Sequence, residues 1–203
     1  MTYLHNPYQE DPAPVASLPE GWDRTAIGPS TVSSGEGYAY RNIFTLDGSG
    51  ESTDATRDAV EFLSLPVAGD IEITARICRV QKNISSGAFA GIMVRSSLDP
   101  EATFSSIGIT ADGTVSFRYR TLEGTPLVSG SESTLSTPVW VKLVRKGNLF
   151  SAYSSLDGTT WSQEGNGVEI SMAGSTFTGL AATSQNRDFL SAATFEQVRI
   201  TSN

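Results

Sequence analysis

The chain has 203 residues, of which 38% are hydrophobic and 18% are charged, and this suits one large all-β domain better than two small ones. Gly, Ser and Thr are abundant, and few stretches offer Ala, Leu, Glu and Lys at helical spacing, so strands and turns are favoured over helices. The formal net charge of −8 disfavours nucleic acid as a partner, because an acidic protein repels the phosphate backbone.

The single cysteine and the single histidine limit the chemistry that the chain can perform. Cys78 has no second cysteine with which to form a disulfide or a thiolate cluster, and we expect a buried free thiol. His5 lies in a proline-rich leader, so neither a zinc site nor a Ser-His-Asp triad is expected. No apolar run approaches the ~20 residues of a membrane helix, so we expect no membrane insertion. The first residues lack a signal-peptide core, which leaves open whether a secretion signal has been removed.

Residues 1–18 are predicted to form a proline-rich strap or linker, and residues 19–203 a single folded domain. The leader contains Pro7, Pro12 and Pro14, which favour extended backbone. From LPEGW at 18–22 onward the sequence becomes strand-like, and neither a composition break nor an internal repeat follows.

Ten short segments then predict strands by their period-two or apolar character. In chain order they are Tyr38–Leu46, Ala59–Leu65, Ile71–Val80, Phe89–Ser96, Phe104–Thr110, Thr114–Thr121, Val139–Arg145, Leu149–Ser154, Phe177–Thr183 and Ala192–Ile200. Only residues 49–57 and 121–138 make longer connections. Short strands at regular spacing, without crossover helices, predict a two-sheet antiparallel sandwich, with a closed barrel as the alternative.

Residues 140–161 read WVKLVRKGNLFSAYSSLDGTTW and predict a three-stranded meander. The alternation is interrupted at Lys-Gly-Asn and at Leu-Asp-Gly, where Gly147 and Gly158 can adopt the positive φ that tight turns require. We interpret this block as fold-building, with Lys142 as its one candidate for contact with a ligand.

Side-chain alternation assigns strand residues to a core face or to a non-core face. It leaves Arg76, Arg95, Arg118 and Arg120 on non-core faces, and Lys142 takes the same kind of position in the meander. We interpret these five residues as lying on neighbouring strands of one sheet, where they form a cationic, concave face. Arginine forks suit carboxylate, sulfate or vicinal hydroxyl groups, so the five are predicted ligand-binding residues.

The alternative interpretation of these cations is structural. In a chain of net charge −8 they can pair across strands with Glu61, Glu72 or Glu196.

Six spaced blocks occur in order along the chain. They are LPEGW at 18–22, GDIEITARI at 69–77, AGIMVRSSLDP at 90–100, GTVSFRYRT at 113–121, the meander at 140–161 and TGLAATSQN at 178–186. Together they resemble a family of bacterial concanavalin A-like jelly-roll domains, some of which carry a label about enolase regulation. The resemblance covers roughly residues 18–200.

This resemblance implies an all-β, two-sheet antiparallel jelly-roll sandwich of the concanavalin A/laminin G-like kind. It also implies a bacterial extracellular or cell-envelope setting, often beside carbohydrate-active modules, and no catalytic residues. The chain departs from its relatives at 54–58, where an aromatic residue is missing, and this weakens any ligand role taken from them.

Retaining glycosidases on this general fold carry a Glu-x-Asp-x-Glu strand, whose spacing sets two carboxylates about 5–5.5 Å apart. No such triplet occurs here, and the nearest approach, Asp70 and Glu72, is explained by a turn aspartate beside a salt-bridged glutamate. We therefore expect no enzymatic activity and no required cofactor. A structural calcium is left open, with loops around Asp47 and Asp54 as candidates, although each Asp-Gly pair is also a complete turn signal.

Trp22, Trp140 and Trp161 offer indole rings on which sugars could stack, but we interpret the last two as core or edge packing. The sequence thus predicts a non-catalytic binding module with a glycan as the leading ligand. A structural or adhesion module that contacts another protein is the alternative, and a glycoside hydrolase is disfavoured.

Overall fold

A computed structural model describes residues 17–29, 35–50, 56–82 and 85–203 of the protein. The described residues form fourteen β-strands and no helix, and hence no helix long enough to cross a membrane. The strands are β1 (Asp23–Ile27), β2 (Gly37–Tyr40), β3 (Ile43–Gly50), β4 (Val60–Ala68), β5 (Ile71–Val80), β6 (Phe89–Arg95), β7 (Phe104–Thr110), β8 (Thr114–Arg120), β9 (Val128–Thr134), β10 (Val139–Lys146), β11 (Leu149–Ser155), β12 (Ser162–Glu169), β13 (Ser175–Thr183) and β14 (Asn186–Ser202).

The strands form two seven-stranded antiparallel sheets that pack face to face. Sheet A has the order β12-β11-β10-β5-β14-β3-β2, and sheet B has the order β1-β4-β13-β6-β7-β8-β9. The predicted all-β sandwich is therefore confirmed, and the chain does not adopt the closed barrel that was its alternative.

The main hydrophobic core fills the space between the sheets. It contains Ile73 and Ile77 from β5, Ile92 from β6 and Phe117 from β8, all without exposed surface. In β5 and β8 these residues alternate with polar neighbours, as the period-two pattern predicts for strands with one buried face, whereas every residue of β6 is buried.

A second, smaller cluster lies on the outer face of sheet B, the face that points away from this core. Phe62, Met93 and Phe104 belong to it, and Leu98 and Leu127 pack against it from the connections that follow β6 and β8. The connections cover this part of the sheet, so a non-core face is nevertheless buried.

The predicted strand Tyr38–Leu46 is divided in the structure. Arg41 and Asn42 have φ values of 49° and 65°, and they form the turn between β2 and β3. Two consecutive residues at positive φ make a tight hairpin turn, which the apolar pattern of this segment did not reveal.

Most of the predicted N-terminal strap, residues 1–16, lies outside the described residues. Ser17 forms an isolated β-bridge with Ala39, and Leu18 packs against the main core. Trp22 does the same, with its ring centroid 5.0 Å from that of Phe44. The chain is thus attached to sheet A from residue 17 onward.

Candidate functional site

The five predicted ligand-binding cations do not lie on one sheet. Arg76 on β5 and Lys142 on β10 belong to sheet A, whereas Arg95 on β6 and Arg118 and Arg120 on β8 belong to sheet B. All five point away from the main core, as predicted, but the two groups lie on opposite outer faces of the sandwich. The prediction of one shared face was wrong because alternation tells which residues avoid the core and not which sheet a strand joins.

Arg76 is already paired within sheet A. Its Nη1 donates to a carboxylate oxygen of Glu196 at 2.9 Å, which is one of the structural pairings considered from the sequence. The neighbouring Cys78 is a free, half-buried thiol, and burial followed by the charge of Glu196 raises its pKa to about 11. Arg76 is therefore a poor candidate for contact with a ligand.

Arg95 and Arg120 are both fully buried and both bind Asp58. Arg120 donates two hydrogen bonds to the carboxylate, from Nη2 to Oδ1 at 2.9 Å and from Nη1 to Oδ2 at 3.0 Å. Arg95 Nη1 also donates to Oδ2. Arg95 and Arg120 have no exposed surface and Asp58 is 5% exposed. Burial lowers the pKa of Arg95, and the charge of Asp58 opposes this effect.

The remaining donors of the two arginines bind backbone carbonyls of the covering connections. Arg95 donates to the carbonyls of Ser97 and Asp99, and Arg120 donates to those of Ala102 and Thr125. The cluster thus ties the connections after β6 and β8 to the sheet. Its buried donors are occupied by the protein, so this geometry favours a structural role for Arg95 and Arg120.

Arg118 differs from these two arginines. Its guanidinium is half-buried with its carbon 4.9 Å from the ring centroid of Phe89, and it forms no hydrogen bond or salt bridge with any described residue. Burial lowers the pKa of Arg118, and the charges of Glu132 and Asp112 oppose this.

The outer face of sheet A contains a cleft of about 370 Å³, within the roughly 300–1,000 Å³ range of small-ligand sites. Its floor is formed by β5 and β10, one wall by the turn between β11 and β12, and the other wall by β14. The lining residues are Glu72, Thr74, Trp140, Lys142, Gly158, Trp161, Gln197, Arg199 and Thr201.

Two indole rings and a lysine form the aromatic part of this cleft. Lys142 Nζ lies 4.2 Å from the ring centroid of Trp161 and 5.3 Å from that of Tyr153, so the ammonium is held by cation–π attraction. Gly158 has a φ of 74° and lies against Trp140, where a Cβ would be 2.7 Å from the indole. Glycine at this turn therefore serves both the backbone conformation and the close approach to the ring.

The polar side chains of the cleft have no hydrogen-bonding or ion-pair partner among the described residues, although Lys142 contacts two aromatic rings. Lys142, Glu72 and Arg199 form no salt bridge or side-chain hydrogen bond with any described residue, and the same holds for Thr74, Gln197 and Thr201. The cleft thus combines aromatic surface with several convergent polar groups free to meet a ligand.

A β-bulge in β14 shapes one wall of the cleft. Glu196 pairs with Arg76 and Arg199 with Thr74, so three steps along β14 match two along β5. The extra residue, Gln197, has a φ of 52° and lines the cleft. Bulges of this kind re-aim side chains, and here the insertion turns Gln197 toward the cleft.

Trp140 and Trp161 were interpreted as core or edge packing, and the core alternative was wrong, because neither ring belongs to the main core. Both rings are half-buried and line the outer cleft, whereas Trp22 packs against the main core. The signal was present in the sequence, because Trp140 is two residues from Lys142 and strand alternation places both on one face. No pattern in the sequence indicated that the β11–β12 turn and β14 would form the walls of the cleft.

The other carboxylates considered in the sequence analysis accept hydrogen bonds at turns or have no ion pair with a described residue. Asp70 accepts a hydrogen bond from the Gly147 amide at 2.8 Å, and Asp157 accepts two at 2.7 Å from the amides of Thr159 and Thr160, which hold its pKa well below the usual range. Glu72 has no ion pair with a described residue, contrary to the salt bridge expected for it.

The structural calcium remains a prediction. Asp54 lies outside the described residues, and Asp47 is half-buried in β3, where burial and then Glu36 raise its pKa. Among the residues that the structure describes, no group of three or more His, Cys, Asp or Glu side chains could hold a metal ion.

Comparison with known proteins places this fold among lectin-like sandwiches. No family model and no curated protein matches the chain. A mutant of the GH43 protein BlXynB from Bacillus licheniformis matches with a TM-score of 0.69 and 15% identity over 93% of this chain, which spans only 38% of that chain.

Two smaller proteins match over nearly their whole length. Carbohydrate-binding module CBM66 from Bacillus subtilis has a TM-score of 0.54 and 14% identity, with 93% of this chain and 98% of that chain covered. Lectin I-B4 from Griffonia simplicifolia has a TM-score of 0.55 and 9% identity, with 90% and 93% covered. At these identities the likeness shows a concanavalin-like β-sandwich fold, and it gives no support to the label about enolase regulation.

Proposed function

We propose that this protein is a non-catalytic module that binds a neutral stretch of a glycan chain in the cleft of sheet A. The observation that carries the proposal is the juxtaposition in one cleft of two half-buried indoles, Trp140 and Trp161, with polar side chains that form no hydrogen bond or salt bridge with a described residue. Apolar C–H faces of sugars pack on indole rings, and their hydroxyl groups need hydrogen-bonding partners of both kinds.

The cleft contains charges of both signs, two cations and one carboxylate. Lys142 and Arg199 supply donors, while Glu72 supplies a carboxylate acceptor that would repel an acidic group. Hydroxyl groups both donate and accept, so a neutral sugar satisfies all three side chains. The open cleft limits the gain from each contact, and we expect micromolar to millimolar dissociation constants.

The structural neighbours support this class of function without assigning a ligand. One of them is described as a carbohydrate-binding module and another as a lectin, on the same sandwich that this chain adopts. Along with the sequence resemblance, they motivate the proposal that the native setting is extracellular or at the cell envelope.

The carboxylates of the cleft argue for binding without hydrolysis. Glu72 is the only described carboxylate that lines it, and Asp70, two residues earlier, lies at the turn, bound to the amide of Gly147. A retaining glycosidase needs two carboxyl groups about 5–5.5 Å apart on the two sides of the scissile bond.

A protein-contact module is the less favoured proposal, since it needs a contiguous exposed apolar patch. Among the described residues, the large exposed hydrophobic side chains include one cross-strand pair, Tyr40 and Ile43, and the others lie on separate strands or connections. The full set is Tyr40, Ile43, Leu122, Val128, Leu149, Leu156 and Phe189.

The test is calorimetric titration with neutral xylo-, gluco- and manno-oligosaccharides. Trp161→Ala should lower the affinity at least tenfold, about 1.4 kcal/mol, because it removes the stacking surface and the support of Lys142. Phe189→Ala is the matched control, since it removes an exposed aromatic ring that does not line the cleft. The proposal fails if no neutral oligosaccharide binds, or if both variants bind as the wild type does.

A reducing-sugar assay on the same oligosaccharides tests the absence of catalysis. We expect no turnover. Turnover that disappears in Glu72→Gln would show instead that the cleft is an active site.

A further inference from the structure

The outer face of sheet B contains a second, smaller pocket of about 50 Å³ beside Arg118. Met93, Phe104 and Leu127 give it apolar walls, and Ser106 and Gln185 add polar groups. A volume of this size holds a group of a few atoms and not a whole sugar ring.

The guanidinium of Arg118 lies over the ring of Phe89, and two glycines allow this ring to lie on the sheet. Gly91 of β6 and Gly108 of β7 are paired across the sheet, and the ring of Phe89 lies over both. A Cβ at Gly91 or Gly108 would lie 2.7 Å or 2.5 Å from Phe89 Cζ, so only glycine at both positions lets the ring lie on the sheet. The guanidinium of Arg118 then lies over this ring.

The described carboxylates near the pocket leave Arg118 without a salt bridge. Arg95, Arg118 and Arg120 share this face, and Asp58, which also lines the pocket, pairs with Arg95 and Arg120. Glu132 and Asp112 act on Arg118 only at a distance, without a salt bridge. Both oxygens of Asp58 are bound by the other two arginines, so Asp58 does not neutralise Arg118 by contact.

We infer that this pocket binds a carboxylate group of a sugar, with Arg118 as its charged partner. The planar guanidinium presents a fork of donors that matches the two oxygens of a carboxylate, and the apolar walls strengthen the attraction by excluding water. The inference rests on the proposed function only in taking the carboxylate to belong to a sugar, because the pocket shares no residue with the cleft of sheet A. The protein would thus bind neutral sugars on one face and a uronic acid on the other.

The test is a chemical-shift titration of the protein with galacturonic acid, and with galactose as the neutral counterpart. We expect galacturonic acid to shift amide signals of β7 and β8 with a millimolar dissociation constant, and galactose to leave them unchanged. Arg118→Ala should raise this constant at least tenfold, whereas Arg79→Ala, an exposed arginine of sheet A, should not alter it. Arg118→Lys keeps the charge without the fork, so it should weaken binding severalfold and serves if the alanine variant does not fold.

Trp161→Ala separates this inference from the proposed function, because it should weaken binding of neutral oligosaccharides at least tenfold and leave galacturonic acid binding intact. The inference is overturned if Arg118→Ala binds galacturonic acid normally or if galactose shifts the same signals. It is overturned equally if inorganic sulfate binds there more tightly than galacturonic acid.

Discussion

Asp58 accepts hydrogen bonds from two arginines that have no exposed surface, Arg95 and Arg120. Removal of one partner from a buried ion pair typically costs about 3–5 kcal/mol, because it leaves an uncompensated charge in the interior. We expect Asp58→Asn to lower the free energy of unfolding by about 3 kcal/mol or more, measured by urea denaturation.

The control for this substitution is the half-exposed pair of sheet A. Glu196→Gln breaks the salt bridge with Arg76. Both side chains of this pair are about one-third exposed, so the loss should lower the free energy of unfolding by only about 0–1 kcal/mol. Equal losses in the two variants would contradict the view that the Asp58 cluster holds the covering connections in place.

Single residues show how far the sequence determines the site. The non-core positions of Arg118 and Lys142 follow from alternation alone, since a strand with one buried face fixes the direction of every side chain. Alternation does not determine which of these cations is available to a ligand and which is bound by other protein groups. Arg118 forms no hydrogen bond with a described residue and Arg95 does, because Asp58, 37 residues earlier in the chain, and the connection that directly follows β6 both bind Arg95.

At the scale of elements, β9 and β12 show how the edges of the two sheets are joined. Glu164 of β12 is buried, and it accepts hydrogen bonds from Ser133 of β9 at 2.9 Å and from Ser154 of β11 at 2.6 Å. Ser131 of β9 makes a third, longer contact at 3.5 Å. One carboxylate therefore links an edge strand of sheet A to an edge strand of sheet B.

Glu164→Ala removes this link. Hydrogen bonds to a charged group contribute about 1.5–3 kcal/mol each, and at a partly solvated edge we expect a total loss of about 2 kcal/mol. Amide hydrogen exchange should accelerate in β9 and remain unchanged in the central strand β5. Glu169→Ala, an exposed position on the same strand, is the control, and equal exchange in the two variants would show that Glu164 does not hold the edge.

β9 was not predicted from the sequence, and its position explains why. The strand reads VSGSEST, lies at the edge of sheet B and has no buried residue, so it lacks the apolar alternation by which strands are recognised. β1 is also an edge strand and was missed, whereas β5 and β6, which lie inside the sheets, were predicted nearly to their ends. An edge strand pairs with only one neighbouring strand and can lack the apolar alternation by which a strand is recognised in the sequence.

For the whole molecule, the fold could be predicted from the sequence more completely than the arrangement of the site. Period-two segments without helical connections lead to a sandwich. The assignment of strands to sheets did not follow, because the chain crosses from sheet A to sheet B between β5 and β6 and returns between β9 and β10. Those crossings separate Lys142 from Arg118 and turn one predicted cationic face into two different surfaces.

The central claim, that a neutral glycan binds in the cleft of sheet A, is tested most directly by following the three indole N–H signals during a titration with a neutral oligosaccharide. Trp140 and Trp161 line the cleft, while Trp22 packs against Phe44 and serves as an internal control. We predict that the signals of Trp140 and Trp161 shift together and saturate, and that the signal of Trp22 does not move. Constant signals for Trp140 and Trp161 under conditions where binding is detected would contradict the claim.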